Sequence, residues 1–185
     1  MPSEAPPRPR GRPRAGINRL VFDATLDTVE EVGYAHATVD RIAARAGIAK
    51  TTIYRRWPTK GTLIVDCLID AIGPAPFEGA DRREKLASAI RWAADKLGEP
   101  GVGDAFAGVF SDGVSDPELR LVLSSRLQEP YRLAVQTALD QPEREALLFI
   151  DIVVGTLLHR MGMTGRPMVE EDVEALIELV TSYFH

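Results

Sequence analysis

The chain has 185 residues, of which 45% are hydrophobic and 26% charged, an ordinary composition for a globular protein of one or two domains. Its single cysteine, Cys67, excludes an internal disulfide and a thiolate metal cluster, and its apolar neighbours favour a buried structural thiol. The net charge of −5 conceals an asymmetry: residues 1–60 hold 11 Lys and Arg against 6 Asp and Glu, and residues 61–185 hold 11 against 21. We therefore expect the basic front half to meet an anionic partner.

The pattern of apolar residues predicts an all-α fold. Apolar residues recur at helical spacing and almost nowhere alternate as they do in strands. No apolar stretch of a secretory signal peptide follows the charged first residues, and the apolar runs are shorter than the about 20 residues that span a bilayer. The sequence thus predicts a cytoplasmic protein with no membrane segment.

The first notable segment is PRPRGRPR, from Pro7 to Arg14, in which four arginines occupy every second position. Prolines remove backbone donors, and the segment has no apolar side chain to bury, so residues 1–15 are predicted to be a disordered basic arm. The arm is either a solvated tail or a segment that awaits a polyanion, with Arg10, Arg12 and Arg14 as its candidate contacts.

Four helices are predicted in the front half. The first covers about Ile17–Val32 and stops at Gly33, and a two-turn helix runs between the N-cap Thr38 and Gly47. A third short helix, IAKTTIYRRW, is closed by Pro58, and a fourth is capped at Thr59 and ends near Gly73.

The segment GPAPFEGAD is the clearest internal boundary, because it is rich in glycine and proline. Beyond it the spacing of apolar residues predicts five helices, about nine in the whole chain, near residues 81–97, 103–111, 117–139, 143–163 and 170–184. Pro130 falls inside the third of these and is expected to kink or break it.

The second and third short helices are candidates for a helix-turn-helix. Ile53 and Trp57, four residues apart, can face inward with Ile48, which leaves a polar and cationic outward face made of Lys50, Thr51, Thr52, Arg55 and Arg56, with Tyr54 at its edge. Such a slim polar helix can enter a major groove. The alternative is that both helices belong to an ordinary bundle and that the basic face is only solvated.

The stretch GYAHATVDRIAARAGIAKTTIYRRWPTKGTLIVDCL resembles the DNA-binding domain of the TetR (tetracycline-repressor) family of bacterial transcription regulators. The matching positions are Gly33, Tyr34, Thr38, Val39, Ile42, Ala43, Ala46, Gly47, Lys50, Tyr54, Trp57 and Lys60. The resemblance implies an N-terminal three-helix DNA-binding domain at residues 16–62. It also implies a helical ligand-binding and dimerisation domain at residues 63–185.

The resemblance also implies roles for individual residues. Thr38, Tyr54 and Lys60 match positions that contact phosphate, and the positions facing the groove are Lys50, Thr51, Thr52 and Arg55. Of these, Thr51 and Arg55 are favoured for reading bases. A serine is frequent in the family where this chain has Ala49, so the third helix either starts one residue away or is capped by backbone alone. Residues 10–14, RGRPR, resemble the core of AT-hook peptides, which insert arginines into narrow minor grooves.

The last two predicted helices are candidates for a dimer interface. EREALLFIDIVVGTLLHRMGM is apolar nearly all round in its middle, and VEEDVEALIELVTSYF carries one apolar face, so two copies could form a four-helix interface. The alternative is that both helices are simply core. Asp151, alone in the apolar run, would have to be paired or near the surface.

The middle helices supply candidate ligand-binding residues: Trp92, Phe106, Phe110, Arg126, Tyr131 and His159. The alternative for each aromatic residue is a place in the hydrophobic core. No metal site, cofactor or catalytic residue is predicted, and an enzyme is disfavoured because His36, His159 and His185 are far apart and no catalytic motif is present.

The predicted function is that of a ligand-responsive transcriptional repressor. It would bind a palindromic operator in double-stranded DNA as a homodimer and be released by a small-molecule effector of unknown identity. The main alternative is an architectural DNA-binding protein without sequence preference, and a helical-bundle enzyme is a more remote one.

Overall fold

The computed structural model describes residues 14–184, and within this range the chain forms helices and no strand, which confirms the all-α prediction. A 3-10 turn, Tyr34–His36, follows the first helix, and a π-helical turn, Leu123–Gln128, joins α7 to α8 into one continuous helix. With α7 and α8 counted as one helix, the described part of the chain has nine helices. The α-helical segments, with α7 and α8 numbered separately, are α1 Arg14–Val32, α2 Val39–Ala46, α3 Lys50–Tyr54, α4 Lys60–Ile72, α5 Arg82–Gly98, α6 Val102–Ser115, α7 Pro117–Val122, α8 Glu129–Leu139, α9 Glu143–Thr164 and α10 Glu170–Tyr183.

The predicted caps set several of these bounds. The hydroxyl of Thr38 accepts a hydrogen bond from the backbone N–H of Arg41 at 3.3 Å and so starts α2. The hydroxyl of Thr59 accepts one from Thr62 at 3.1 Å, and the two threonines form a capping box at the start of α4. Gly47 ends α2 with a φ of 63°, a conformation that costs glycine little.

Two helix ends in the DNA-binding half differ from the prediction, and α6 runs on to Ser115, four residues past its predicted end. Helix α1 begins at Arg14, so Arg14 is not part of an extended arm but the first residue of a helix that directly follows Pro13. Helix α3 ends at Tyr54, short of Trp57, and the N–H groups of Arg56 and Trp57 both bond to the carbonyl of Ile53. The proline after Trp57 disfavours helical backbone at that residue, so the helix closes early.

The helix is not broken at Pro130, but its α-helical hydrogen bonding is interrupted just before this residue. Pro130 is the second residue of α8, and the π-helical turn ends directly before that helix. A π turn carries one extra residue, which changes the backbone hydrogen-bond register where the proline has no donor to offer. The chain therefore passes through the proline as a continuous helix.

Helix α4 lies between two of the three hydrophobic clusters. Leu63 and Cys67 pack into the front cluster with α1, α2 and α3, whereas Ile64, Val65 and Leu68 pack into a middle cluster with α6 and α7. A rear cluster joins α5 to α8, α9 and α10. Any displacement of α4 therefore changes the packing of both the front and the middle cluster.

Candidate nucleic-acid interface and ligand cavity

Two buried side chains hold the third helix in place. Ile53 is 1% exposed and Trp57 4% exposed, while Ile48 is half-buried at the edge of the same cluster. The Trp57 ring lies 5.6 Å, between ring centroids, from that of Phe22 on α1. The inward face predicted for this helix is thus confirmed, and burying it presents the opposite face to solvent.

Thr51 and Arg55 lie one helical turn apart on that opposite face, and both are exposed. The Arg55 guanidinium makes no hydrogen bond or ion pair with another residue in the range 14–184. Thr52 is half-buried, and Tyr54, at the edge of the face, is 41% exposed. A short hydroxyl and a mobile guanidinium side by side can reach base edges without clashing with phosphates.

The two lysines predicted to meet DNA already have partners in the protein. Lys50 Nζ lies 2.5 Å from Asp40 Oδ1, and this contact raises the pKa of the lysine. Lys60 Nζ donates to the carbonyl of Tyr34 at 2.8 Å and lies 3.7 Å from the centroid of that ring. Burial lowers the pKa of Lys60. Its ammonium therefore holds the 3-10 turn against α4, and the phosphate contact predicted for Lys60 stays a prediction.

The ends of α2 and α3 resolve the question raised by Ala49. Ala49 is the N-cap of α3 and offers no side-chain hydrogen bond, while its carbonyl accepts from the N–H of Thr52 at 2.8 Å. The first turn is capped by backbone alone, and Lys50 and Thr51 keep their predicted positions. Thr38, by contrast, caps α2 and remains exposed beside it. Arg10 and Arg12 lie outside the described residues.

A cavity of about 670 Å³ lies among α5, α6, α8 and α9. Five of the six residues predicted to bind a ligand line it: Trp92, Phe106, Phe110, Tyr131 and His159. Arg126 does not, because its guanidinium points to α4, where Nη2 lies 2.6 Å from Asp66 Oδ1. No sequence pattern indicated this partner, which lies 60 residues earlier in the chain, before the segment GPAPFEGAD.

The walls of the cavity are mainly apolar and aromatic. The rings of Trp92 and Tyr131 lie 5.8 Å apart, and Tyr131 donates its hydroxyl to the carbonyl of Gly73 at 2.6 Å. Burial raises the pKa of Tyr131 to about 12, so the phenol stays neutral. Lys96 pairs with Glu99 at 2.7 Å, which leaves its charge partly compensated.

Arg120 also lines the cavity, although the sequence analysis did not single it out. Its guanidinium donates to the carbonyls of Gly113 at 3.3 Å and Val114 at 3.1 Å, near the end of α6. Such a position complements the partial negative charge of a helix C-terminus. The cavity thus has a mainly apolar lining, and its cationic residues Lys96 and Arg120 already have partners within the protein.

Tyr34 ties the 3-10 turn to α6. Its hydroxyl donates to Asp112 Oδ2 at 2.5 Å, and a Cβ added at Gly108 would overlap with its ring. Burial and the bond to Asp112 raise the pKa of Tyr34. Tyr34 was part of the recognised sequence pattern, but nothing in the pattern indicated a contact 78 residues away.

Apolar side chains remain exposed toward the C-terminal ends of both α9 and α10. Met163 is 72% exposed, Leu179 66% and Tyr183 59%. Helix α9 is long and apolar enough to cross a membrane by length and composition alone. Only 22% of its most apolar window is buried inside the protein. Asp151 lies at the surface, one of the two places expected for it. Burial in the core therefore does not account for all of the apolar character of these helices.

Residues 21–67 match the family model described as bacterial regulatory proteins, tetR family. Residues 79–180, more than half of the chain, match the model of the tetracyclin repressor-like C-terminal domain. The chain belongs to the TetR family. It is therefore a helix-turn-helix transcriptional regulator with DNA as its partner.

This TetR-family chain is similar to several sequences and structures. It is 27% identical to the uncharacterised HTH-type transcriptional regulator YdeS of Bacillus subtilis, over 91% of this chain and 90% of YdeS. A TetR-family regulator from Mesorhizobium loti has the same fold, with a TM-score of 0.71 and 15% identity over 94% of this chain and 97% of the other. The fatty acid degradation regulator FadR of Bacillus halodurans also has this fold, with a TM-score of 0.69 and 18% identity over 92% of this chain and 96% of FadR.

Proposed function

We propose that this TetR-family protein is a cytoplasmic, ligand-responsive repressor that binds a palindromic operator as a homodimer and leaves it when a small molecule fills the cavity. One observation carries the proposal: helix α4 packs both into the cluster that supports the exposed Thr51–Arg55 face and into the cluster next to the 670 Å³ cavity. The proposed units are the arm, predicted at residues 1–15 and cut back to the residues before α1 at Arg14, the DNA-binding domain up to residue 62, and the ligand-binding and dimerisation domain at 63–185.

Base reading is assigned to Thr51 and Arg55, with support from Thr52. An exposed arginine can bind guanine O6 and N7 together, a contact worth about 1–3 kcal/mol of discrimination. Thr38 and Tyr54 contact phosphates, and Lys50 and Lys60 do so only by giving up Asp40 and the Tyr34 carbonyl. The arm, with Arg10 and Arg12, and Arg14 at the start of α1 add minor-groove and phosphate contacts.

The exposed apolar face of α9 and α10 pairs with its twofold copy. A single helix-turn-helix contacts too little DNA for tight specific binding, so two recognition helices must be held at the spacing of successive major grooves. Pairing also covers Met163, Leu179 and Tyr183, which a single copy leaves in water. The copies would associate through α9 and α10, which belong to the rear cluster and not to the cluster around α3.

The effector proposed for the cavity is a mainly apolar molecule with flat surfaces that can stack on Trp92, Phe106, Phe110 or Tyr131. His159 offers the polar contact that orients it. Such a molecule causes release only if it binds the conformation that cannot hold DNA more tightly than the one that can.

Selection of bound duplexes from a random DNA pool tests operator binding. We expect a palindrome to emerge and to be preferred over random duplex by about 10³-fold or more in competition. Equal affinity for all duplexes would instead support the architectural alternative. A mainly apolar compound that quenches Trp92 but leaves the affinity for the palindrome unchanged would refute the release mechanism.

Sedimentation of Leu179→Glu tests the dimer. A buried charge in the interface should convert the dimer to a monomer at micromolar concentration. The matched control is Leu133→Glu on α8, where the leucine is also exposed, at 50%, but lies outside the proposed interface. If both variants remain dimeric, the interface lies elsewhere.

A further inference from the structure

One carboxylate on α4 contacts both the recognition element and the wall of the cavity. Asp66 Oδ2 accepts a hydrogen bond from the indole Nε1 of Trp57 at 2.8 Å. Asp66 Oδ1 forms an ion pair with Nη2 of Arg126 at 2.6 Å. The two groups are close but not aligned as a hydrogen bond, and this oxygen accepts no hydrogen bond within residues 14–184. The Asp66 side chain is 24% exposed, so water covers little of it.

Each end of this link is attached to a functional element. Trp57 is 4% exposed, packs on Phe22 and donates its backbone N–H to Ile53 of α3, so its position fixes the end of the recognition helix. Arg126 belongs to the π-helical turn Leu123–Gln128. Four residues of that turn line the cavity: Leu123, Ser124, Leu127 and Gln128.

The π turn is a place where a helix can change register. Its extra residue can move by one position while both flanking helices stay intact, and in a helix of 3.6 residues per turn this rotates the side chains between by about 100°. A rotation of that size takes the Arg126 guanidinium away from α4. A molecule that presses on the cavity side of the turn thus has a route to the carboxylate.

We propose that Asp66 is a positioning residue that couples the cavity to DNA binding through Trp57 and Arg126. With Arg126 in place, the carboxylate is held so that it fixes the Trp57 indole and keeps α3 in the DNA-reading position. Without Arg126, the mostly covered carboxylate loses its counter-charge, turns toward water and releases the indole. This coupling rests on the proposed function, because it assigns the route by which an occupied cavity weakens operator binding.

The test compares Arg126→Gln with a matched control on the same continuous helix. The control, Arg132→Gln, removes an arginine that pairs with Glu129 at 2.5 Å and, within residues 14–184, makes no hydrogen bond or ion pair with α4. The chain has two tryptophans, so its ¹H–¹⁵N spectrum contains two indole signals, and Trp57→Phe identifies which one belongs to Trp57. Arg126→Gln should move the Trp57 signal and weaken binding of the selected palindrome about tenfold, whereas Arg132→Gln should do neither.

Two further variants distinguish a coupled link from general damage. Asp66→Asn keeps an acceptor for the indole but loses the charge, and the double variant with Arg126→Gln should bind DNA no more weakly than the worse single variant. Arg126→Lys retains a cation of similar reach and should lie closer to the wild type than Arg126→Gln in both measurements.

An unmoved Trp57 signal in Arg126→Gln would overturn the coupling, as would additive losses of affinity in the double variant. The indole measurement uses neither DNA nor effector. A failure of the protein to prefer any palindrome would therefore count against the proposed function while leaving the coupling to be decided by the spectrum.

Discussion

The DNA-binding end and the cavity end of this chain use their apolar residues in opposite ways. Around α3 they fill the interior: Ile42 and Leu63 are fully buried and Ile53 is 1% exposed. Around the cavity, aromatic side chains such as Trp92, Phe106 and Phe110 surround about 670 Å³ that they do not fill. The first arrangement presents one fixed surface, because close packing leaves few alternatives, and the second leaves space that a guest can occupy.

Under the proposed function, the two ends have different stability requirements. A surface that reads base edges loses its fit when it shifts by a fraction of a helical turn, so its supporting core must be dense. A cavity that changes the conformation of a protein needs walls with more than one arrangement. Helix α4, with one face in each cluster, joins the two.

The largest expected difference is in the cost of truncating a side chain at each end. Ile42→Ala should lower the free energy of unfolding by about 2–5 kcal/mol, because it leaves a cavity in a dense core. Phe110→Ala should cost less than about 0.5 kcal/mol, since that ring is 58% exposed. Urea denaturation followed by circular dichroism measures both, and equal losses would show that the two ends are packed alike.

The second largest effect is expected from reversing the charge of an exposed arginine at each end, Arg55 near α3 and Arg144 on α9. Arg55→Glu should raise the Kd for the selected palindrome by tenfold to 100-fold, since one arginine–guanine pair carries about 1–3 kcal/mol. Arg144→Glu changes an arginine on α9 whose side chain is 81% exposed, and fluorescence anisotropy at fixed salt should find its Kd within about twofold of the wild type. An unchanged Kd for Arg55→Glu would remove this residue from the interface.

The contact between the two ends can be tested with glycines. Gly108→Ala should lower the free energy of unfolding by about 1–3 kcal/mol, because the added Cβ meets the ring of Tyr34. Gly16→Ala on α1 meets nothing within 4 Å and should be neutral or stabilise the helix by up to about 1 kcal/mol. Thermal unfolding measures the pair, and a harmless Gly108→Ala would mean that Tyr34 is free to move.

The smallest expected effect concerns the start of α4. Thr59→Ala removes the side-chain cap and should cost about 1 kcal/mol of unfolding free energy, whereas Thr59→Ser keeps the hydroxyl and should cost much less. Urea denaturation of both variants provides the measurement. A loss of the same size in both would show that the methyl group matters more than the cap.

Features that depend on neighbours in the sequence were predicted well. The caps Thr38 and Thr59, the stop at Gly47 and the inward faces of Ile53 and Trp57 all follow from hydrogen bonds or spacings within a few residues. The exposed positions of Thr51 and Arg55 follow in turn, because they are what remains once the inward face is fixed.

Features that depend on distant residues were missed or wrong. Arg126 was expected at the cavity and instead pairs with Asp66, 60 residues earlier in the chain. The bond between Lys60 and the Tyr34 carbonyl was missed, while the phosphate contact of Lys60 stays a prediction. Pro130 was expected to kink or break its helix; no break occurs, and no local pattern indicated the π turn that precedes it. In each case the partner or the register lies outside the window that a sequence pattern covers.

The amino-acid sequence determined the helices, their caps and the polar face of α3, because each arises from interactions between residues at most about a turn apart. Only the tertiary structure decided that a cavity remains among the aromatic side chains, and that one carboxylate on α4 lies between Trp57 and Arg126. Both depend on how helices from distant parts of the chain come together, and such packing is a property of three-dimensional shape that spacing along the chain does not encode.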